Sequence, residues 1–198
     1  MAYPRAIKPN HALDTINALL VDLGTPLLAD TDWIVVDRAM ANATFVLAHA
    51  DSGDSPALAR NVTVKGTQAG GSDDTFGTVT VTGTNVNGDV ISEAIVPVNG
   101  STVAGVKAFA TVTSVVQSGW TAGGTADRIE VGFGALIGLP NIGQPALSAA
   151  RRVVTTFLDG AIVVPTVVWD ADEIEKNTIN SSSGTFNGAK SLFALIAR

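Results

Sequence analysis

Residues 77–115 read GTVTVTGTNVNGDVISEAIVPVNGSTVAGVKAFATVTSV, and over much of that length apolar and polar side chains alternate. A period of two sends successive side chains to opposite faces of a strand, so the stretch is committed to a sheet with one buried and one wet face. In GTVTVTGT the valines at 79 and 81 take the buried face and the threonines at 78, 80 and 82 the other. Asn87-Gly88 tolerates the positive φ that a type I′ turn requires at both central positions, which predicts a hairpin at that point. Pro97 removes a ladder donor, so its strand lies at a sheet edge or ends there.

The same reading gives strands at 33–38 (WIVVDR), 44–49 (TFVLAH), 61–67 (NVTVKGT), 90–98 (VISEAIVPV), 107–116 (KAFATVTSVV) and 128–133 (RIEVGF). Gly-, Ser- and Asp-rich loops separate them at 67–77 and 119–127. The run GLPNIGQP (138–145) marks a boundary; beyond it Asp159-Gly160 turns a second hairpin and SLFALIAR forms the last strand. One segment reads as helix. In HALDTINALLVDLG, Leu13, Ile16, Leu20 and Leu23 recur at helical spacing, Asn10 can cap the start and Gly24 can end it. Its apolar face packs on the chain's own sheet or, with the proline-bearing arm at 1–10, docks on a neighbouring subunit. The expected fold is mainly β: an antiparallel β-sandwich or barrel with one N-terminal helix and an extended N-terminal arm. Its parts are an arm, helix and first strand (1–38), a main β domain (39–145), and a C-terminal hairpin and last strand (146–198).

Composition narrows the function. Hydrophobic residues make up 46% of the 198 and charged residues 15%, so the chain buries a core and has less charged surface than a lone monomer usually carries. That favours assembly with itself or a partner. The net charge is −6 and the twelve Lys and Arg are scattered, which argues against nucleic acid as a ligand. No apolar run reaches signal-peptide or membrane-span length, so no membrane partner is expected. Cysteine is absent, which excludes disulfides and thiolate metal sites.

Residues able to do chemistry are sparse. His49 lies in HADSGD, where His, Asp and Ser are neighbours, but a nucleophilic triad is defined across a fold and a turn explains the sequence better. DADEIE (170–175) offers carboxylates without the remaining ligands of a helix-loop-helix calcium site and reads as a solvated acidic loop or helix start. The glycines of GFGALIG (132–138) have the wrong spacing for a dinucleotide fingerprint and are expected to let the chain leave a strand sharply. No catalytic residue, cofactor or metal site is therefore assigned. Trp33 and Trp169 read as core. Trp120, in SGWTAGG at a hairpin tip, is the candidate exposed anchor, since indoles dominate interface hot spots, with burial in the core as the alternative. The candidate interface residues are thus Trp120, Leu13, Ile16 and Leu20.

Taken together, ARNVTVKGT, GTVTVTGTNVNGDVISEAIVPVNG, VAGVKAFATVTSV and DRIEVGFGALIGLP resemble small structural proteins of tailed bacteriophages, of the head decoration or auxiliary capsid type. In that group an Arg-Asn-Val-Thr-Val strand, a Val-Thr-Gly-Thr strand with an Asn-Gly hairpin, a Lys-Ala-Phe strand and a Gly-Leu-Pro exit recur in this order. The resemblance covers roughly residues 59 to 140. It implies a non-enzymatic virion protein, made in the host cytoplasm, that coats the capsid surface as a homotrimer bound to the major capsid protein. The alternatives are a neck, tail or fibre-base protein of the same particle and a sugar-binding adhesive sandwich with Trp120 stacked on the sugar.

Overall fold

A computed structural model describes residues 18–54, 57–69, 75–121, 127–139, 153–181 and 186–197. Thirteen strands account for most of them, and every ladder between strands is antiparallel. The main sandwich packs a three-stranded sheet on part of a six-stranded one. The smaller sheet, in the order β5-β4-β7, comprises β4 (Thr78–Thr84), β5 (Val90–Ile95) and β7 (Thr111–Ser118). The larger contains β2 (Asp30–Ala39), β3 (Arg60–Thr67), β6 (Thr102–Phe109), β8 (Arg128–Gly138), β11 (Pro165–Val168) and β12 (Thr178–Ser181). Val79 and Val81 are fully buried between the sheets with Ile34, Val62, Val64, Phe109, Val115 and Val131, as the alternation predicts.

A second core lies beyond the end of β8. There a four-stranded sheet runs β1 (Ala18–Asp22), β13 (Leu192–Ala197), β9 (Val153–Leu158), β10 (Ala161–Val163). Leu192, Ala194 and Ile196 pack with Ile179 of β12 and with Ile137 and Leu139 at the end of β8. One strand therefore serves both cores: β8 lies in the main core through Ile129, Val131 and Phe133 and in the second through Ile137.

Several expectations need correction. Ala18–Asp22 is a strand paired with β13, not helix; the earlier part of the expected helix, with Leu13 and Ile16, and the arm at 1–10 lie outside the described residues. The five residues ALLVD are too short for periodicity to separate strand from helix, and the β13 edge decides. Gly24, with φ 64°, ends a strand instead, its N–H bonded to the Asp22 carboxylate at 2.8 Å. Residues 44–49 form no strand: the segment touches β7 at Thr44 and Phe45 and β2 at Ala48, joining the two sheets along one side. Ala110 divides the expected strand 107–116 into β6 and β7. Both hairpins form, with different turns. Asp159 and Gly160 both have positive φ (53° and 78°), while at the first hairpin only Gly88 does, and Asn85 closes a longer loop by accepting the N–H groups of Asn87 and Asp89. Gly132 and Gly134 lie inside β8 rather than ending it, while Gly138 is its last residue.

Those glycines belong to a polar seam. Opposite β3, the register of β8 slips by two residues between Phe133 and Ile137, and that of β6 slips by two between Ala104 and Ala108. Bulges leave backbone groups without ladder partners. Asn61, 1% exposed, supplies them on both sides: its amide nitrogen donates to Gly105 O (3.0 Å) and its oxygen accepts from Leu136 N (2.9 Å). Next to it, fully buried Arg60 donates to Gly134 O, to Leu27 O (3.0 Å) and to Asp54 Oδ1 (3.4 Å). Across β6, the Glu93 carboxylate accepts from Val106 N (2.7 Å) and Lys107 N (3.3 Å). A Cβ at Gly134 would collide with the Asn61 amide and one at Gly105 with the Glu93 carboxylate, so a side chain at either position would displace the group that serves its bulge.

Replacing Asn61 by Ala orphans the half-buried N–H of Leu136 and the buried C=O of Gly105. At about 1–2 kcal/mol each, the expected loss is about 2–4 kcal/mol in urea unfolding, and Asn61→Asp, which keeps the acceptor for Leu136 but turns a buried, unpaired carboxylate toward Gly105 O, loses at least as much. A loss under about 1 kcal/mol in Asn61→Ala would contradict this reading of the seam.

Candidate interaction surface

The outward face of the three-stranded sheet carries rows fixed by the register. Ala94, Thr80 and Val116 form one row, Ser92, Thr82 and Ser114 the next, and Val90, Thr84 and Thr111 the third. The threonine hydroxyls cross-link it: Thr84 and Thr111 share a hydrogen bond of 2.7 Å, and Thr113 Oγ1 donates to Thr82 O at 3.2 Å. Strands β4, β5 and β7 hold a single charged side chain between them, Glu93, and the seam takes it away to β6. The face is therefore free of charge in a chain whose net charge is −6. Exposed valines stand at its edge, Val90 at 77% and Val96 at 60%. A second apolar row runs along β10 and β11, where Ile162, Val164 and Val168 point outward.

Trp120 sits beside this sheet and not at a free tip. It is half-buried against the main core, its indole N–H donates to Asp127 Oδ2 (3.1 Å), and its backbone is held by both ends of the Asn42 amide (2.8 and 2.9 Å). Leu20, on the edge strand β1, is 56% exposed. The structure thus keeps Trp120 and Leu20 on separate sheets, and neither belongs to the charge-free face.

The HADSGD turn does not assemble a triad. The His49 ring stacks on Trp33 with centroids 3.9 Å apart and its Nδ1 lies 2.9 Å from Trp33 O, while the Ser52 hydroxyl donates to Leu58 O and the Asp51 carbonyl takes the Trp33 indole N–H. Among the described residues no three His, Asp or Glu side chains are placed to hold a metal ion.

The acidic run at 170–175 has a structural task. Asp170 Oδ1 accepts from Asp172 N and Glu173 N, folding the chain into the 3-10 turn Ile174–Lys176. Lys107, projecting from the β6 bulge, meets Glu173 at 2.9 Å and Glu175 at 3.0 Å, tying the main sandwich to the segment between β11 and β12. Burial pulls the Lys107 ammonium down, but hydrogen bonds to Glu173 and Glu175 outweigh it and leave it above its ordinary value. The Glu173 carboxyl is held below its ordinary value by hydrogen bonds from Lys176 and then Lys107. No family model matches the sequence, and no curated protein or solved structure matches it.

A carboxylate with a depressed folded value contributes stability that is present above the pH at which the free carboxyl titrates and is lost as pH falls through the folded value. The gap in urea midpoint between the wild type and Glu173→Gln is therefore expected at neutral pH and should close on acidification through and below the ordinary glutamate range. A gap that persists in strong acid would exclude the ion pairs as its cause.

Proposed function

We propose that the protein is a structural component of a tailed-phage particle, a decoration or cement protein that binds the outer capsid surface and stabilises it without catalysing a reaction. One observation carries the reading: the face of β5-β4-β7 is cross-linked, built from strands whose only charged side chain turns away, and edged by the exposed Val90 and Val96. Such a face can approach a protein surface of either sign without stranding a charge, whereas a buried unpaired charge costs several kcal/mol. Its size also fits. Three strands about 4.8 Å apart and about seven residues long at roughly 3.3 Å each give a footprint of roughly 23 by 14 Å. That is under half of the roughly 800 Å² each partner contributes to a standard stable complex. A single contact of that size is weak, and several held together by a homotrimer on a repeating lattice gain from effective concentration.

The mechanism is mass action. A ligand that binds the assembled shell and not the free capsid subunit shifts the equilibrium toward the shell. The sequence order from Arg-Asn-Val-Thr-Val to Gly-Leu-Pro, which resembles that of phage decoration proteins, supports the same assignment.

Particles assembled with the protein should survive heating or chelator treatment that disrupts particles lacking it. Thr82→Lys, which sets a charge in the middle of the face, should abolish binding to particles while changing folding stability by less than about 0.5 kcal/mol, as is usual for surface substitutions. Equal survival with and without the protein, or full binding by Thr82→Lys, would refute the proposal.

A further inference from the structure

The segment that joins the two sheets leaves a gap beside β2. Residues 43–45 are stitched to β7 by Phe45 N to Val115 O (2.9 Å) and Gln117 N to Ala43 O (3.0 Å), and Ala48 N returns to Ile34 O of β2 at 2.8 Å. Between these anchors the segment and β2 part. The last four residues of β2, Val36–Ala39, are all exposed, and the register with β8 breaks on both sides of Val35. The result is an open groove of about 570 Å³ whose lining includes Arg38 and Ala39 from β2, Ala43, Phe45 and Val46 from the joining segment, and Arg128.

The two guanidinium groups in this groove differ in availability. Arg128 is committed to Asp37, with Nε and Nη2 on the two carboxylate oxygens at 2.8 and 2.9 Å, and the same pairing holds the Asp37 carboxyl below its ordinary value. Arg38 has no ion pair among the described residues, although the chain carries eighteen acidic residues against twelve basic ones. Asp37 also lines the groove, with its charge met by Arg128, and the apolar surface beside Arg38 is uncovered at Val46, which is 78% exposed. A free cation next to bare aliphatic surface complements a carboxylate next to an aliphatic side chain. The shape selects the form of the ligand. An enclosed pocket buries most of a small molecule, while an open trough along the end of a strand suits an extended chain.

We propose that this groove docks an extended peptide segment of a partner protein, its carboxylate on Arg38 and the neighbouring aliphatic side chain over Phe45 and Val46. The site is separate from the charge-free face, and the inference holds whether or not the protein coats a capsid.

The probe is the blocked peptide acetyl-Ser-Val-Glu-Val-Ser-amide, titrated into the full-length ¹⁵N-labelled protein beside its counterpart with Gln in place of Glu. The Glu peptide should shift amide resonances at 36–46 and 128. Arg38→Ala, or the Gln peptide, should weaken binding about tenfold, the fold-change expected for one charge-assisted contact. Raising the salt to about 1 M should weaken the wild-type interaction. An unchanged melting temperature of Arg38→Ala would show that its loss of binding is local. The proposal is overturned if the two peptides bind equally, if the shifts map elsewhere, or if nothing binds at millimolar peptide. It is equally overturned if sedimentation velocity shows a dimer that Arg38→Ala abolishes, which would give the groove to a second copy of the chain.

Discussion

Asn61 and Arg60 stand side by side at the start of the central strand β3, and the rest of the molecule depends on what they bond. An interior strand of a sandwich ordinarily spends its buried positions on apolar side chains. Here two such positions satisfy backbone groups freed by bulges in β8 and β6. The bulges let β8 pair with β2 at one end and β12 at the other while keeping β3 alongside. That double pairing is how one strand enters two hydrophobic cores.

Burying a guanidinium is costly, and desolvation pulls Arg60 below its ordinary value despite Asp54. The cost is offset by geometry: three of its nitrogens donate to Gly134 O, Leu27 O and Asp54 Oδ1, and Asp54 in turn accepts Leu27 N at 2.6 Å. Four separate pieces of chain, around residues 27, 54, 60 and 134, are thereby fixed to one another. Lys107 with Glu173 and Glu175 adds a second tie farther out. The proposed role, binding through presented surfaces, would draw on that rigidity, because an interface that must first be ordered loses affinity to entropy.

How much of this was legible in the sequence depended on range. The hairpin of β4 and β5 is local, written in the alternation of Val79, Val81 and the threonines, and the sequence reading placed it correctly. The turn at Asn87-Gly88 was placed correctly but mistyped, because the capping by Asn85 competes with the two-residue turn. The strand at Ala18–Asp22 was misread as helix, since its β13 partner lies at the far end of the chain. Strand β12, TINS, has no periodic signal and exists because Ile179 reaches the second core. The seam was illegible for the same reason: Arg-Asn opens an otherwise ordinary strand pattern, and only the partners on β6 and β8 reveal that the pair is buried and what it bonds. Of the candidate surface, the threonine row was readable, whereas the absence of charge across three strands emerged only once their register was known. The Arg38 groove had no signal at all, because it arises where a segment expected to be a strand, 44–49, leaves β2 instead.

If the seam makes the two cores one body, they should unfold together. Hydrogen exchange measured against urea tests this directly, comparing amides of Val79, Val81 and Val131 in the main core with those of Leu192, Ala194 and Ile196 in the second. The expected result is convergence of both sets on one opening free energy in the wild-type protein, with Asn61→Ala splitting them so that the second core opens first. Two distinct opening free energies in the wild type, left unchanged by Asn61→Ala, would contradict it.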